Sequence, residues 1–241
     1  MNIRKLLTAT CIAIGVSASV GCNQLKQLAS ALIPSEYEMA LALRQALEQG
    51  LTKTFQEYSN PSANTLIGFA FPGDADKVIS TMNKLGLSSY VNQTTTKFNK
   101  AIGSAFTAAR PIFTDAIKKM SFTDAAKILL SDNQHAATDY FKAATRTQLM
   151  NAFRPIVDST IKLQGADKDW SKIANAINSV PFTSFKVETS LTDFVAARAV
   201  DGMYILVANE EQKIRTDLNF RTTDLMKRVF GYADEQKKKQ Q

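Results

Sequence analysis

Apolar positions recur along this chain at three- and four-residue intervals, and signals that start and stop helices recur at helix-sized spacing. Ser35-Glu36-Tyr37-Glu38 forms a capping box, and behind it Met39, Leu43, Leu47, Leu51 and Phe55 repeat every four residues along one face. A stripe of that kind predicts a core-facing helix rather than a cofactor site. Asn60-Pro61-Ser62 breaks the pattern, and Leu66 to Pro72 is a short apolar run that predicts the one extended segment. Asp74 is placed to cap a helix through Leu85, which Gly86 ends. A long helix follows from Ser89 to Met120, with Phe98, Ile102, Ala105, Ala109, Ile112 and Phe113 on one side. Ser121 caps a short helix through Leu130, with Asp124 in its first turn to complement the helix dipole.

Thr138 opens a second long helix that reaches Leu163 and stops at Gly165; Asp167 opens a shorter one through Ser179, closed by Pro181. Ser190-Leu191-Thr192-Asp193 reads as a capping-box variant heading an apolar helix to Arg215. Thr222 or Thr223 caps the last helix, which Gly231 ends. The resulting fold class is all-α, a multi-helix bundle with at most one short extended segment. Its organisation is a signal peptide over 1–21, a tether and first short helix over 22–34, a helical domain over 35–231 and a polar frayed tail over 232–241.

Within that series lies a duplicated helix pair. Ala108-Ala109-Arg110-Pro111-Ile112, continuing to Ile117-Lys118, aligns with Ala152-Phe153-Arg154-Pro155-Ile156, continuing to Ile161-Lys162, at an offset of 44. Asp124 to Ile128 then aligns with Asp169 to Ile173 at an offset of 45, so one residue has been inserted between the two blocks in the second copy. Pro111 and Pro155 each remove a helical hydrogen bond and crowd the carbonyl four residues back, at Thr107 and Asn151, which predicts a kink before Arg110 and Arg154. Two readings of these arginines follow. They pair with nearby carboxylates and hold the kink, or they face one cleft that suits an anionic ligand.

The amino-terminal pattern changes the picture more than composition does. Arg4 and Lys5, an apolar run from Leu6 to Val16 and small residues up to Gly21 make the three parts of an export signal. The polar residues within it, Thr8, Thr10, Ser17 and Ser19, make it a poor membrane span. Ser19-Val20-Gly21-Cys22 resembles a bacterial lipobox, which makes Cys22 the lipid attachment point and the first residue of the mature chain. The competing cut, after Val16-Ser17-Ala18, leaves a soluble periplasmic chain with an odd thiol at Cys22. Asn23, where Asp would follow a cysteine retained at the inner membrane in some bacterial groups, points toward the outer membrane.

With residues 1–21 removed, 220 residues remain, enough for a sizeable core, and Cys22 is the one cysteine left, so packing alone holds the fold. Losing Arg4 and Lys5 from the 29 basic residues leaves 27 against 22 acidic ones, a net charge of +5, partly in Lys237-Lys238-Lys239. That bias is too mild and too scattered for nucleic-acid binding, which export also opposes. The expected partners are a membrane, reached through the lipid anchor, and an envelope protein or small ligand.

Catalytic constellations are sparse. Ser159-Thr160-Ile161-Lys162 and Ser131-Asp132-Asn133 match two motifs of penicillin-interacting enzymes, but in reversed order and without a Lys-Thr-Gly. His135 is the single histidine, so neither a multi-histidine metal site nor a zinc motif is present, and no cofactor is expected. It sits near a helix start, with a general-base role as the sharper alternative. The charges worth following lie in the apolar helix: Arg198 and Asp201 three apart, Glu211 and Arg215 four apart. Glu210 and Glu211 point to different sides. Arg110, Arg154, Asp201, Glu211 and Arg215 are therefore the candidate ligand or ion-pair cluster, and no residue is assigned a catalytic role. A polar cleft joining Asp201, Glu211 and Arg110 would define a periplasmic hydrolase. A large dry cavity would define a carrier of an apolar ligand.

The run Arg110-Pro111-Ile112-Phe113, Asp115-Ala116-Ile117, Met120, Asp124-Ala125, Ile128-Leu129, Ala137-Thr138, Tyr140-Phe141, Asp201-Gly202, Glu210-Glu211, Ile214-Arg215 and Phe230-Gly231 resembles the bacterial envelope family catalogued as domain of unknown function 4197. The similarity extends from Leu41 to Gly231. Where that family carries Asn-x-Ala-Ala-Glu, this chain has Asn99-Lys100-Ala101-Ile102-Gly103, and where it carries Gly-Gly, this chain has Asp132-Asn133. The resemblance implies helices, export and frequent lipid attachment, and brings no known activity.

Overall fold

The computed structural model describes residues 33–59, 68–71, 75–119, 121, 125–181, 186–188 and 190–239. Among them are eight α-helices and no strand: α1 Glu36–Tyr58, α2 Ala75–Lys84, α3 Ser88–Lys119, α4 Ala125–Leu130, α5 Ala136–Leu163, α6 Ala166–Ser179, α7 Thr192–Thr216 and α8 Asp224–Lys238, with a 3-10 turn at Leu218–Phe220 between the last two. The expected export signal, Cys22 and most of the expected tether lie outside the described residues.

The four long helices carry the core. α1 packs on α7, α7 on α5, α5 on α3 and α3 on α1, which closes a ring of four around one apolar interior. The predicted stripe of α1 lies in it, with Leu43 and Leu47 fully buried. α2 and α6 cover α3, while α4 and α8 pack on α1. Rings fill the space between: Tyr58 stacks on Phe106 with centroids 3.7 Å apart, Phe106 lies 5.0 Å from Phe113, and Phe113 lies 5.7 Å from Phe153. α1 and α7 approach so closely that a Cβ on Gly50 would lie 3.1 Å from Val207 Cα.

Helix termini follow the predicted chemistry in several places. The Ser35–Glu38 capping box is formed in both directions. α2 ends in a Schellman turn, in which Leu87 N–H reaches Met82 O at 2.9 Å and Gly86 N–H reaches Asn83 O at 3.1 Å, with Gly86 at φ +72°. Thr223 caps α8 by accepting from Met226 N–H at 3.1 Å. The duplication is visible in burial. Thr94, Ala101, Ala105, Ala109, Phe113 and Ile117 of α3 are buried, and so are Thr138, Thr145, Leu149, Phe153, Val157 and Ile161 of α5, each 44 residues on. Ala125 and Leu129 of α4 correspond to Trp170 and Ala174 of α6, 45 residues on. Each copy is a long proline-containing helix followed by a shorter one, and both long helices run on through Pro111 and Pro155.

Elsewhere the structure departs from expectation. The described part of the apolar run, Gly68 to Phe71, is not a strand. Asn99 Oδ1 accepts from Phe69 N–H at 2.7 Å and Arg198 Nε donates to Gly68 O at 3.0 Å, so side chains satisfy the backbone where a partner strand would have done so. Asp74 and Asp124 lie outside the described residues. α5 begins at Ala136, two residues before Thr138. α7 has Leu191 rather than Ser190 at its N-cap, and the apolar Leu191 side chain offers no cap; the Thr192 hydroxyl donates to Asp158 Oδ1 at 3.1 Å.

The largest correction is at the carboxyl end. α8 does not stop at Gly231 but continues to Lys238, so residues 232–238 are helix rather than frayed tail. Ala233 is buried, Asp234 meets Arg221, and Lys237 Nζ donates to Ser131 O at 2.6 Å. Tertiary contacts hold a segment whose composition alone predicts a loose end.

Candidate functional site

Of the predicted charges of α7, Glu211 and Arg215 sit deep in the molecule. Glu211 is fully buried, and four donors surround its carboxylate. Oε1 accepts from Ala137 N–H at 3.0 Å and Arg215 Nε at 2.8 Å; Oε2 accepts from Thr138 N–H at 2.8 Å and the Thr138 hydroxyl at 2.7 Å. The carboxylate thus caps the first turn of α5, whose free N–H groups it satisfies. Arg215, four residues on, turns the other way: Nη1 donates to Leu129 O at 2.9 Å and Nη2 to Ile128 O at 3.1 Å, at the carboxyl end of α4. One ion pair on α7 therefore binds negative charge to the start of α5 and positive charge to the end of α4. Each charge lies where the adjoining helix dipole favours it.

A second layer extends this network. Arg221, also buried, donates from Nε to Ile214 O at 2.9 Å and from Nη2 to Arg215 O at 3.1 Å. Its Nη1 lies 2.7 Å from Asp234 Oδ2, a charge contact whose angle falls short of a hydrogen bond. Both guanidinium groups stand 5.7 Å from the centre of the Phe230 ring. Glu210 faces away from Glu211, as their neighbouring positions predict, and accepts from Gln49 Nε2 of α1 at 2.9 Å.

Asp201 lies apart from these groups. Arg146 of α5 grips it with two bonds, Nε to Oδ1 at 3.2 Å and Nη2 to Oδ2 at 3.0 Å, and Lys142 Nζ stands 3.6 Å from Oδ1. The expected partner three residues earlier, Arg198, reaches Gly68 instead. Beside Asp201, the Tyr204 hydroxyl meets Thr145 Oγ1 at 3.1 Å, and burial pushes the phenol up to about 12.

The duplicated arginines have separated roles. Arg154 pairs with Asp193 at 2.5 Å on the exposed surface. Arg110 has no carboxylate partner among the described residues; its guanidinium lies 4.7 Å from the centre of the Phe55 ring. Five candidates thus occupy four places, and neither Asp201 nor Glu211 meets Arg110. His135 stands at the N-cap of α5 with Nδ1 3.1 Å from Ala208 O, a satisfied contact at a helix start.

Arg110 opens onto a groove of about 1000 Å3 between the second half of α3 and α5. Pro111, Ile112, Ala116, Leu149 and Ala152 line it with apolar surface, and Arg110, Thr114, Lys118, Lys119 and Gln148 supply polar groups. Lys119 is paired with Asp115 at 2.5 Å, while Lys118 has no carboxylate partner among the described residues. At the far end the Tyr140 hydroxyl donates to Ser121 O at 2.8 Å. The signal for this surface was present in the sequence as Arg110, Thr114 and Lys118, four residues apart on one face of α3.

No group of three or more histidine, cysteine, aspartate and glutamate side chains among the described residues could hold a metal ion, and no described helix is long and apolar enough to cross a membrane. Fold and site together define a class: an all-helical bundle clamped by a buried ion pair, with an open groove rimmed by basic residues. The chain belongs to the family described as protein of unknown function (DUF4197), whose model matches residues 34–231. No curated protein and no solved structure matches it.

Proposed function

We propose that this chain acts by binding rather than by catalysis. In this reading it is exported by residues 1–21, tethered through acylated Cys22 to the periplasmic side of a bacterial envelope membrane, the outer one in preference to the inner, and offers the α3–α5 groove to an anionic ligand or envelope partner. The observation that carries the reading is a division of labour among the charges. The candidate carboxylates of α7 are committed, Glu211 to a helix start and Asp201 to Arg146, whereas Arg110 and Lys118 face the groove with no carboxylate of their own among the described residues. A hydrolase would bring Asp201 or Glu211 together with Arg110, and these groups lie apart. A carrier of apolar ligands calls for an enclosed dry cavity, whereas this groove is open and basic.

Intact mass of the amino terminus, taken from an envelope fraction, tests the tether. Acylated Cys22, lost together with membrane association in Cys22→Ser, is the expected result; an unmodified chain beginning at Ser19 overturns it. Retention on immobilised inorganic polyphosphate tests the groove. The double variant Arg110→Glu, Lys118→Glu is expected to elute at much lower salt than the wild type, and equal retention overturns this part of the reading.

A further inference from the structure

We propose that the α3–α5 groove docks an acidic amphipathic helix of a partner protein, laid lengthwise between the two helices with carboxylates at both of its cationic ends. This rests on the binding reading above and specifies the chemistry of what is bound.

Spacing is the first argument. Arg110, Thr114 and Lys118 follow one another at four-residue intervals, so the two unpaired cations stand about 12 Å apart along α3 at a rise of about 1.5 Å per residue. A compact anion cannot reach both. An elongated ligand can, and on a helix two acidic residues seven or eight positions apart share one face and cover the same distance. The shape agrees. Tyr140, near the start of α5, bonds to Ser121 just beyond the end of α3, while Phe153, late in α5, meets Phe113 in the body of α3. The two helices therefore run antiparallel, and the furrow between them follows their axes.

The floor supplies the second argument. Ala144, Gln148 and Ala152 lie four apart on α5, and Ile112 and Ala116 face them from α3. Small side chains at alternate turns let a third helix approach to ordinary interaxial distances of about 8–10 Å. Anchoring an apolar stripe in such a furrow is a common mode of peptide recognition. Charge gives the sign. Asp115, the acidic residue of the lining, is already neutralised by Lys119, so the free charges of the groove are Arg110 and Lys118. Arg110 is held in place by the Phe55 ring, which lowers the cost of ordering it on binding.

The test is selection of a displayed library of 16-residue helical peptides on the purified full chain. The expected pool converges on acidic residues seven or eight apart beside an apolar stripe. Its winners weaken at least tenfold on the Arg110→Glu, Lys118→Glu chain and on an Ala144→Trp chain that fills the floor. Circular dichroism and thermal melting establish that each variant is folded; Lys118→Glu alone, at an exposed position, carries the test if Arg110→Glu is not. A pool without the acidic spacing, or winners indifferent to the variants, overturns the proposal. So does self-association that the double variant abolishes, which assigns the groove to a second copy of this chain. Vesicles of anionic phospholipid that bind with the same sensitivity to the variants overturn it in favour of a lipid surface. Those last two results leave the broader binding reading standing. Polyphosphate retention and the mass at Cys22 test that reading separately.

Discussion

Glu211 gives up all contact with water and receives four donors in return, two of them backbone N–H groups at the start of α5. Such a carboxylate is a structural part, and its removal leaves Arg215 charged and buried without its counter-ion. Glu211→Ala is expected to cost about 3–5 kcal/mol, measured by urea denaturation. Adding Arg215→Met to the same chain should cost less than the sum of the two single changes, because the orphaned charge is then gone. Tyrosines set a pH dependence. Burial raises the Tyr204 phenol from its ordinary 10 to about 12, and burial raises Tyr58 as well. An unfolded chain releases these protons near pH 10 while the folded chain keeps them, so the folded state binds more protons in that window. Stability is therefore expected to be intact below pH 10 and to fall between pH 10 and 12. Denaturation midpoints at pH 8, 10 and 11 should show the fall, and Tyr204→Phe should lessen it while leaving the part due to Tyr58.

Among the elements, the contact between α1 and α7 is the tightest constraint. Alanine is ordinarily the better helix former, so Gly50→Ala at an open position would stabilise α1 by about 1 kcal/mol. Here the new Cβ meets Val207 Cα and Cγ1 at 3.1 Å, and the Cα belongs to a helix that cannot rotate away. A net loss of about 1–2 kcal/mol in chemical denaturation is expected, since overpacking outweighs propensity. Gly50 was legible in the sequence as a helical glycine beside Leu47 and Leu51, but not its neighbour, because a contact across 157 positions leaves no local periodicity. Helix ends divide in the same way. The Ser35 box and Gly86 turn were legible because both use atoms within a few residues. The distant side chains that accept from the first turns of α4 and α5 were not, since Glu36 reaches Ala126 N–H at 3.3 Å and Glu211 reaches Ala137 and Thr138 from other helices.

For the molecule as a whole, α8 decides how far the folded unit extends. Tyr232 onward reads as polar and loose, yet Ala233, Asp234 and Lys237 attach it to Arg221 and to Ser131. Ending the chain after Gly231 is expected to destabilise it by about 2 kcal/mol or more, since buried Arg221 loses its carboxylate; a lower melting temperature checks this. A chain ending after Lys238 should melt like the full one. The candidate cluster was legible only as a set of charges. Its partition into a helix-end clamp at Glu211 and Arg215, a surface grip on Asp201, an exposed pair at Arg154 and a groove at Arg110 depends on which helices adjoin α7 and α3.

The sequence by itself determined the helical class, the positions of seven of the eight helices to within a few residues, the family and the duplicated pair, because each of these is written in spacings shorter than a turn or in the order of whole segments. Tertiary structure alone decided the partners: which helix start received the Glu211 carboxylate, that Arg154 found Asp193 while its counterpart Arg110 was left facing a groove, and that α8 stays helical past Gly231. Those outcomes depend on distances between residues far apart in the chain, where burial and the desolvation of charge choose among arrangements that local pattern leaves equal.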